Sequence, residues 1–219
     1  MATQLRVDVI SDVVCPWCYL GKRRLEDALM QLASARPDVE PVLRWFPFFL
    51  NPDTPPGGEP YRPFLERKFG GVAAVDSMHA RLAEVGAQSG VVFNFDAMKV
   101  RPNTLAAHRL IHRAQQLELS TGVLVDELFR AHFVDGLNIG DPDTLDAIAA
   151  AIGMHDTRDW LAGDEAIDAV RGLDEKVRSL GVSGVPFFIL NGSIAISGAQ
   201  PVAVLLEALE RSLAAEPGS

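Results

Sequence analysis

The chain carries two thiols, and both stand in one tetrapeptide, Cys15-Pro16-Trp17-Cys18, directly after the apolar stretch from Leu5 to Val14 and directly before a helix-like run from Tyr19 to Ala35. A thiol at a helix N-terminus faces backbone N–H groups without intrahelical partners and the positive end of the helix dipole, both of which favour thiolate over thiol. Cys15 is therefore the expected attacking sulfur. Cys18 returns to the same side one helical turn later, close enough to resolve a mixed disulfide by closing the intramolecular bond. Pro16 suits the first turn, since it has no N–H to lose there and its ring holds φ at a helical value. Asp12, three residues ahead of Cys15, pulls the other way, because a nearby carboxylate disfavours a thiolate.

A second candidate segment lies late in the chain, Gly184-Val185-Pro186-Phe187-Phe188. A proline at the start of a strand is confined to an edge, a first position or a turn. Val185-Pro186 is a candidate cis peptide, with the Val185 N–H and C=O expected to be unpaired and open to an extended substrate segment.

The same Cys-x-x-Cys spacing also serves as half of a zinc site, and His108 and His112 stand at i, i+4. Most of the helical block separates the two halves, and Pro16-Trp17 makes a poor zinc knuckle, so no metal is expected. His79, His132 and His155 show no ligand spacing and read as surface or core histidines. Trp17 lies between sulfurs that must be reachable, which favours an exposed indole that contacts substrate. Phe46, Phe48 and Phe49 read as sheet core, as do Phe129 and Phe133 in the helical block.

Composition narrows the class further. The 219 residues are 48% hydrophobic and 22% charged, enough for one large domain or a domain with an insertion. A net charge of −9 argues against a nucleic-acid surface or an anionic membrane as the main partner, since both demand clustered Lys and Arg. Arg6 and Asp8 interrupt the first apolar stretch, which therefore reads as a strand and not a signal peptide. No segment has the apolar length of a membrane span. The expected setting is cytoplasmic, where a disulfide is usually transient and catalytic, and with no further cysteine a second, structural bridge is excluded.

The elements that must position the pair follow from periodicity. Arg6 to Ser11 alternates as a strand, the Cys-bearing helix stops at Arg36-Pro37, and Val42 to Leu50 reads as a second strand. The run from Asn51 to Pro60 is dense in Pro and Gly and marks a boundary. From about Pro63 to Gly181 the pattern is helical, with segments expected at Val72–Ala87, Thr104–Leu119, Gly122–Val134, Pro142–Ile152 and Glu165–Leu180. Val91 to Phe95 is the one short stretch there expected to be extended. Phe187–Leu190, an Asn191-Gly192 turn and Ile194–Ser197 form a hairpin, and Gln200-Pro201 opens a last helix through Leu213, with a loose tail from Glu216. A sheet begun by the first two strands and completed by the last two encloses the helical block, an α/β arrangement.

The β-Cys-Pro-Trp-Cys-helix unit, the late Gly-Val-Pro before a hairpin and the helical insertion together resemble the thioredoxin-like superfamily. More closely, the chain resembles the DsbA-type FrnE-like thiol–disulfide oxidoreductases and the related 2-hydroxychromene-2-carboxylate isomerases. The further matches are Asp12, Tyr19-Leu20-Gly21, Phe49-Leu50-Asn51-Pro52, Asn103-Thr104 with Ala107-His108-Arg109-Leu110, Leu128-Phe129 and Ser197-Gly198-Ala199-Gln200-Pro201. The resemblance implies a thioredoxin-like domain over 1–62 and 182–219 with an inserted all-helical domain over 63–181. It also implies Cys15 as nucleophile, Cys18 as resolving thiol and Pro186 as a cis-proline beside them. Trp17, Val185 and Asn103 are the expected substrate contacts, with Asn103 also readable as a helix cap.

Three functions remain open at this point. The first is a thiol–disulfide oxidoreductase that exchanges disulfides with protein thiols or glutathione as co-substrate, its only redox group the cysteine pair itself. The second is a glutathione-dependent isomerase or transferase acting on a small aromatic or polyketide-like molecule; those isomerases typically place serine where this chain has Cys15. The third is a non-catalytic redox-sensing or zinc-binding protein. A homodimer is an expectation from the resemblance alone.

Overall fold

Side-chain alternation in the first strand decides how the central sheet is covered. In the computed structural model, which describes residues 3–214, β1 (Thr3–Ser11) buries Leu5, Val7, Val9 and Ser11 on one face. The helix α1 (Pro16–Ala35) then runs back against β1; Leu20 is buried beside a stripe of Cys18, Gly21, Lys22, Leu25, Ala28 and Leu32. That set recurs every three or four residues, the stripe of a helix laid on a sheet. β2 (Val39–Pro47) pairs parallel with β1 from Thr3↔Val39 to Ser11↔Pro47. It starts three residues earlier than the expected Val42, because its edge position lets Pro41 join the ladder without donating inward.

The second unit follows, Phe49–Leu173, the first being Met1–Phe48 with Asp174–Ser219. Its elements are β3 (Glu59–Pro60), α2 (Tyr61–Phe69), α3 (Val72–Gln88), β4 (Val100–Arg101), α4 (Leu105–Gln116), α5 (Thr121–Phe133), α6 (Pro142–Ala150) and α7 (Thr157–Ala162), and α8 (Ile167–Ser179) crosses the division at Leu173/Asp174. The core is built from Leu110, Leu124, Leu128, Phe129, Phe133 and Leu145, all fully buried. Asp141 caps α6 as the sequence suggests, accepting from the Thr144 amide at 3.0 Å with Pro142 in the first turn.

Two short helices, α2 and α7, lie where the sequence pattern gave no helix. A helix this short is not self-supporting, and α7 is held from a distance. Buried Arg109 in α4 donates to the carbonyls of Leu161 (3.1 Å), Gly163 (2.7 Å) and Glu165 (2.7 Å), while Arg109 and Arg113 both lie over the Trp160 ring. Val91–Phe95, expected to be extended, forms no strand; instead β3 and β4 pair as a two-residue ladder. Phe95 stacks on His79 and on Phe93, and Phe93 meets Phe133 edge to face, so their aromatic character serves packing.

The chain re-enters the first unit with β5 (Phe187–Leu190), β6 (Ile194–Ser197) and α9 (Val202–Ala214), giving a sheet order β2-β1-β5-β6 among the described residues. Asn191 and Gly192 turn the hairpin with positive φ of 47° and 74°. β5 is antiparallel to β1 with Val7↔Leu190 and Val9↔Phe188 on the face that α1 and α9 cover. The alternate residues Phe187 and Ile189 face the other way, against a cluster of Ile10, Phe48, Val177 and Val182. This cluster draws the end of α8 and Val182 into the first compact unit, whose limits at 48/49 and 173/174 stand beside the domain bounds expected at 62/63 and 181/182. The tail from Glu216 lies outside the described residues.

Candidate active site

The cysteines are positioned by a turn that links the end of β1 to the start of α1. The Ser11 carbonyl accepts from the Phe48 amide at 3.1 Å, extending the β1–β2 pairing, and the Cys15 amide donates to the Asp12 carbonyl at 3.0 Å. Cys15 is the N-cap of α1, in extended conformation (φ −93°, ψ 113°) with no side-chain cap bond, and Pro16 fills the first turn. The Cys15 carbonyl accepts from the amides of Cys18 at 3.0 Å and Tyr19 at 3.2 Å, closing the turn that brings the two residues together. Both are free thiols, Cys15 4% and Cys18 1% exposed, whereas Trp17 between them is 37% exposed.

Facing Cys15 is the Val185–Pro186 peptide, which is cis. The Cys15 thiol donates to the Val185 carbonyl at 3.8 Å. That carbonyl is therefore turned to the sulfur and not left unpaired as expected, while the Val185 N–H makes no hydrogen bond among the described residues. Behind it, the Pro186 carbonyl accepts from the Gly198 amide at 2.8 Å, and the Ala199 carbonyl accepts from Arg24 Nη1 of α1 at 2.6 Å. Gly21 lies against Pro186, where a Cβ would meet the proline Cγ at 2.7 Å.

The two sulfurs have different surroundings. Burial pushes the Cys18 thiol well above its ordinary pKa, with the Cys15 sulfur adding to the rise, and the Asp12 backbone and the Ser11 hydroxyl, which favour the thiolate, oppose it. Cys18 is thus held as a thiol until something draws its proton or stabilises its thiolate, which suits a second, resolving step.

Of the residues singled out in the sequence, Cys15, Cys18, Val185 and Pro186 are gathered at the N-terminus of α1, with Trp17 exposed in its first turn. Asn103 lies in the second unit, one residue ahead of the α4 N-cap Thr104; its amide donates to the Thr54 carbonyl at 2.7 Å and its Oδ1 accepts from the Leu105 amide at 3.0 Å. Its side chain closes the start of α4, the capping use of asparagine. His108, also in that unit, is buried edge-on to Phe49. Among the described residues no three His, Cys, Asp or Glu side chains gather as metal ligands, and no helix is long and apolar enough to cross a membrane. Ser11 and Arg24 are residues around the pair that sequence reasoning gave no role, and Gly21 entered it only within the Tyr19-Leu20-Gly21 match. Strand parity from Val7 and Val9 to Ser11 was the legible clue for Ser11; the places of Gly21 and Arg24 depend on long-range contacts.

A Cys-x-x-Cys at the start of the helix that follows β1, in a sheet of order β2-β1-β5-β6 with a cis-proline opening β5, defines a thioredoxin-fold enzyme of the thiol–disulfide oxidoreductase type. The DSBA-like thioredoxin domain model matches residues 6–210, and the chain belongs to that family. A probable DsbA oxidoreductase from Streptomyces coelicolor is 30% identical and superimposes with a TM-score of 0.87 over 98% of this chain and 92% of its own. The Bacillus subtilis protein YwbO is 28% identical over 206 residues, 89% of this chain and 90% of its own. The cytosolic disulfide reductase DsbM from Pseudomonas aeruginosa, with GSH, shares the fold at 17% identity and a TM-score of 0.65, over 96% of this chain and 100% of its own.

Proposed function

We propose that the protein exchanges disulfides with thiol partners, protein thiols or glutathione, through Cys15 and Cys18. The observation that carries this reading is the pair itself: two sulfurs one helical turn apart at the start of α1, with the Val185 carbonyl turned to the first. The Cys15 thiolate attacks one sulfur of a substrate disulfide, a Cys15–substrate mixed disulfide forms, and the other substrate sulfur leaves as a thiolate that takes up a proton. Cys18 then attacks Cys15 Sγ, its two electrons pass to the substrate sulfur, the proton it loses ends on that leaving thiol, and the Cys15–Cys18 disulfide remains. The reverse sequence donates a disulfide. Trp17 and the N–H of Val185, unbonded among the described residues, supply an apolar face and a backbone donor for an extended substrate segment, and Pro186 holds that backbone beside the sulfur. A cytoplasmic setting, where glutathione keeps thiols reduced, belongs to the same proposal, as does the finer DsbA-type FrnE-like subtype.

Equilibration across reduced-to-oxidised glutathione ratios, followed by thiol alkylation and mass measurement, tests this reading. The expected result is loss of both thiols together as one two-electron couple. A single glutathione adduct that persists on Cys15 would overturn it in favour of a glutathione-dependent isomerase or transferase.

A further inference from the structure

Ser11 holds a hydroxyl that the fold does not use. Its Oγ is buried and meets no hydrogen-bond partner among the described residues, although the residue is 5% exposed and its backbone carbonyl is paired. An orphaned buried hydroxyl costs on the order of 1–3 kcal/mol, and native chains keep few of them without a use.

Strand parity says where that hydroxyl points. Val9 pairs with Phe188 on the α1 face of the sheet, and Ser11 stands two residues further along the same face. α1 runs back along β1; at Gly21 it is so close to Phe188 that a Cβ would lie 3.3 Å from the ring. One turn nearer its N-terminus, α1 presents Cys18 to the sheet, which sets the Cys18 sulfur over Ser11. The Ser11 hydroxyl and the Asp12 backbone are the two groups that favour the Cys18 thiolate against its burial.

We propose that the Ser11 hydroxyl is the donor that receives the Cys18 thiolate, stabilising it as nucleophile when it resolves the mixed disulfide and as leaving group when the disulfide reopens. With Cys18 protonated, the hydroxyl has no acceptor and stays orphaned. As the proton leaves, the thiolate becomes a strong acceptor and the bond forms. The donor is therefore matched to the charged state alone, the condition under which an interaction speeds a step and does not merely stabilise the resting form. In the resolving step Cys18 Sγ bonds to Cys15 Sγ, the Cys15–substrate S–S bond breaks, and the substrate thiol departs carrying the proton lost by Cys18. Ser11 gives its hydrogen bond and transfers nothing.

This inference rests on the oxidoreductase reading, and the test separates the two. Reduced protein is mixed with an aromatic disulfide whose released thiol is coloured: the first equivalent reports attack by Cys15 and the second reports resolution by Cys18. Ser11→Ala is expected to slow the second phase about tenfold, the scale of one hydrogen bond to a charged group, and to move its pH–rate profile to higher pH. The first phase keeps its rate, and Ser11→Thr, which retains the hydroxyl, restores the second. An unchanged second phase and profile in Ser11→Ala would overturn the role of Ser11, as would equal slowing of both phases, which marks general distortion. Loss of the second phase in Cys18→Ser is expected, and its persistence would instead sink the oxidoreductase reading itself.

Discussion

Replacing Gly21 by alanine sets two opposing terms against each other, and the structure decides the sign. Gly21 is inside α1, where alanine gains about 1 kcal/mol of helix propensity over glycine. Against that, the new Cβ would stand 2.7 Å from Pro186 Cγ, 3.2 Å from Pro186 Cβ and 3.3 Å from Phe188 Cζ. A proline ring cannot swing aside as a lysine tip would, and Phe188 is fully buried, so relief requires α1 or the Pro186 loop to shift. Overpacking of this kind costs about 1–3 kcal/mol, which leaves Gly21→Ala about 0–2 kcal/mol less stable than the parent. Gly172 in α8 is the internal control, exposed and with nothing within 4 Å of a built Cβ; there alanine should stabilise by about 0.5–1 kcal/mol. Comparing the variants cancels most of the propensity term and leaves the clash, about 1–3 kcal/mol. For a chain of this size each kcal/mol moves Tm by about 2–4 °C. Thermal and denaturant unfolding followed by circular dichroism reads the difference. If Gly21→Ala is as stabilising as Gly172→Ala, the contact with Pro186 imposes no constraint and the reasoning fails.

Two pH dependences follow from the electrostatics. Burial, with Arg62 nearby, lowers the pKa of His79, which accepts or donates at 3.1 Å to the Tyr61 hydroxyl; a depressed folded value means stability present above the ordinary imidazole pKa of about 6.5 and lost as pH falls through the folded one. Denaturant midpoints should therefore drop on acidification below about pH 6.5, and His79→Phe should blunt the drop, leaving the part owed to His112, also lowered by burial; equal drops in both proteins would count against this account. The raised Cys18 thiol has the opposite sign: the folded reduced protein holds that proton more tightly than the unfolded chain, so stability is full below the ordinary thiol value of about 8.5 and declines as pH rises through it towards the folded value. Oxidised protein has no such thiol, so reduced and oxidised midpoints should diverge above about pH 8.5, and parallel curves would refute the burial effect.

What could be read from the sequence was whatever is local. The hairpin at Asn191-Gly192, the cap at Asp141-Pro142 and the helix that begins after Cys15 each carry their cause within a few residues. The long amphipathic helices were legible because a stripe repeated over three or four turns survives any one exception. α7 was not, because its stability comes from Arg109, some fifty residues away in the chain. Nor was the packing of Val177 and Val182 against Ile10 and Phe48, which no compositional shift marks. At the site, the cysteines and Pro186 were visible as residue types with a known use. Asn103 shows the limit of such reading: an asparagine before a helix fits a substrate contact and a cap equally well until its partners, Thr54 and Leu105, are seen.

Three short sequences that look unrelated along the chain are one physical object. Tyr19-Leu20-Gly21 gives α1 a face without a side chain, and Pro186 of Gly184-Val185-Pro186 occupies that space. Ser197-Gly198-Ala199 closes behind it, with Gly198 donating to the Pro186 carbonyl and Ala199 accepting from Arg24, one turn beyond Gly21 on the same helix. Val185 is therefore located from α1 through packing and two hydrogen bonds at residues 186 and 199. Its own link to the site, a thiol to a carbonyl at 3.8 Å, is weak and vanishes whenever Cys15 is deprotonated or disulfide-bonded. A backbone that must meet a substrate at every stage of the exchange has to be held by contacts that do not change with the state of the sulfur. Those contacts are Gly21, Arg24 and Gly198, none of which undergoes chemistry.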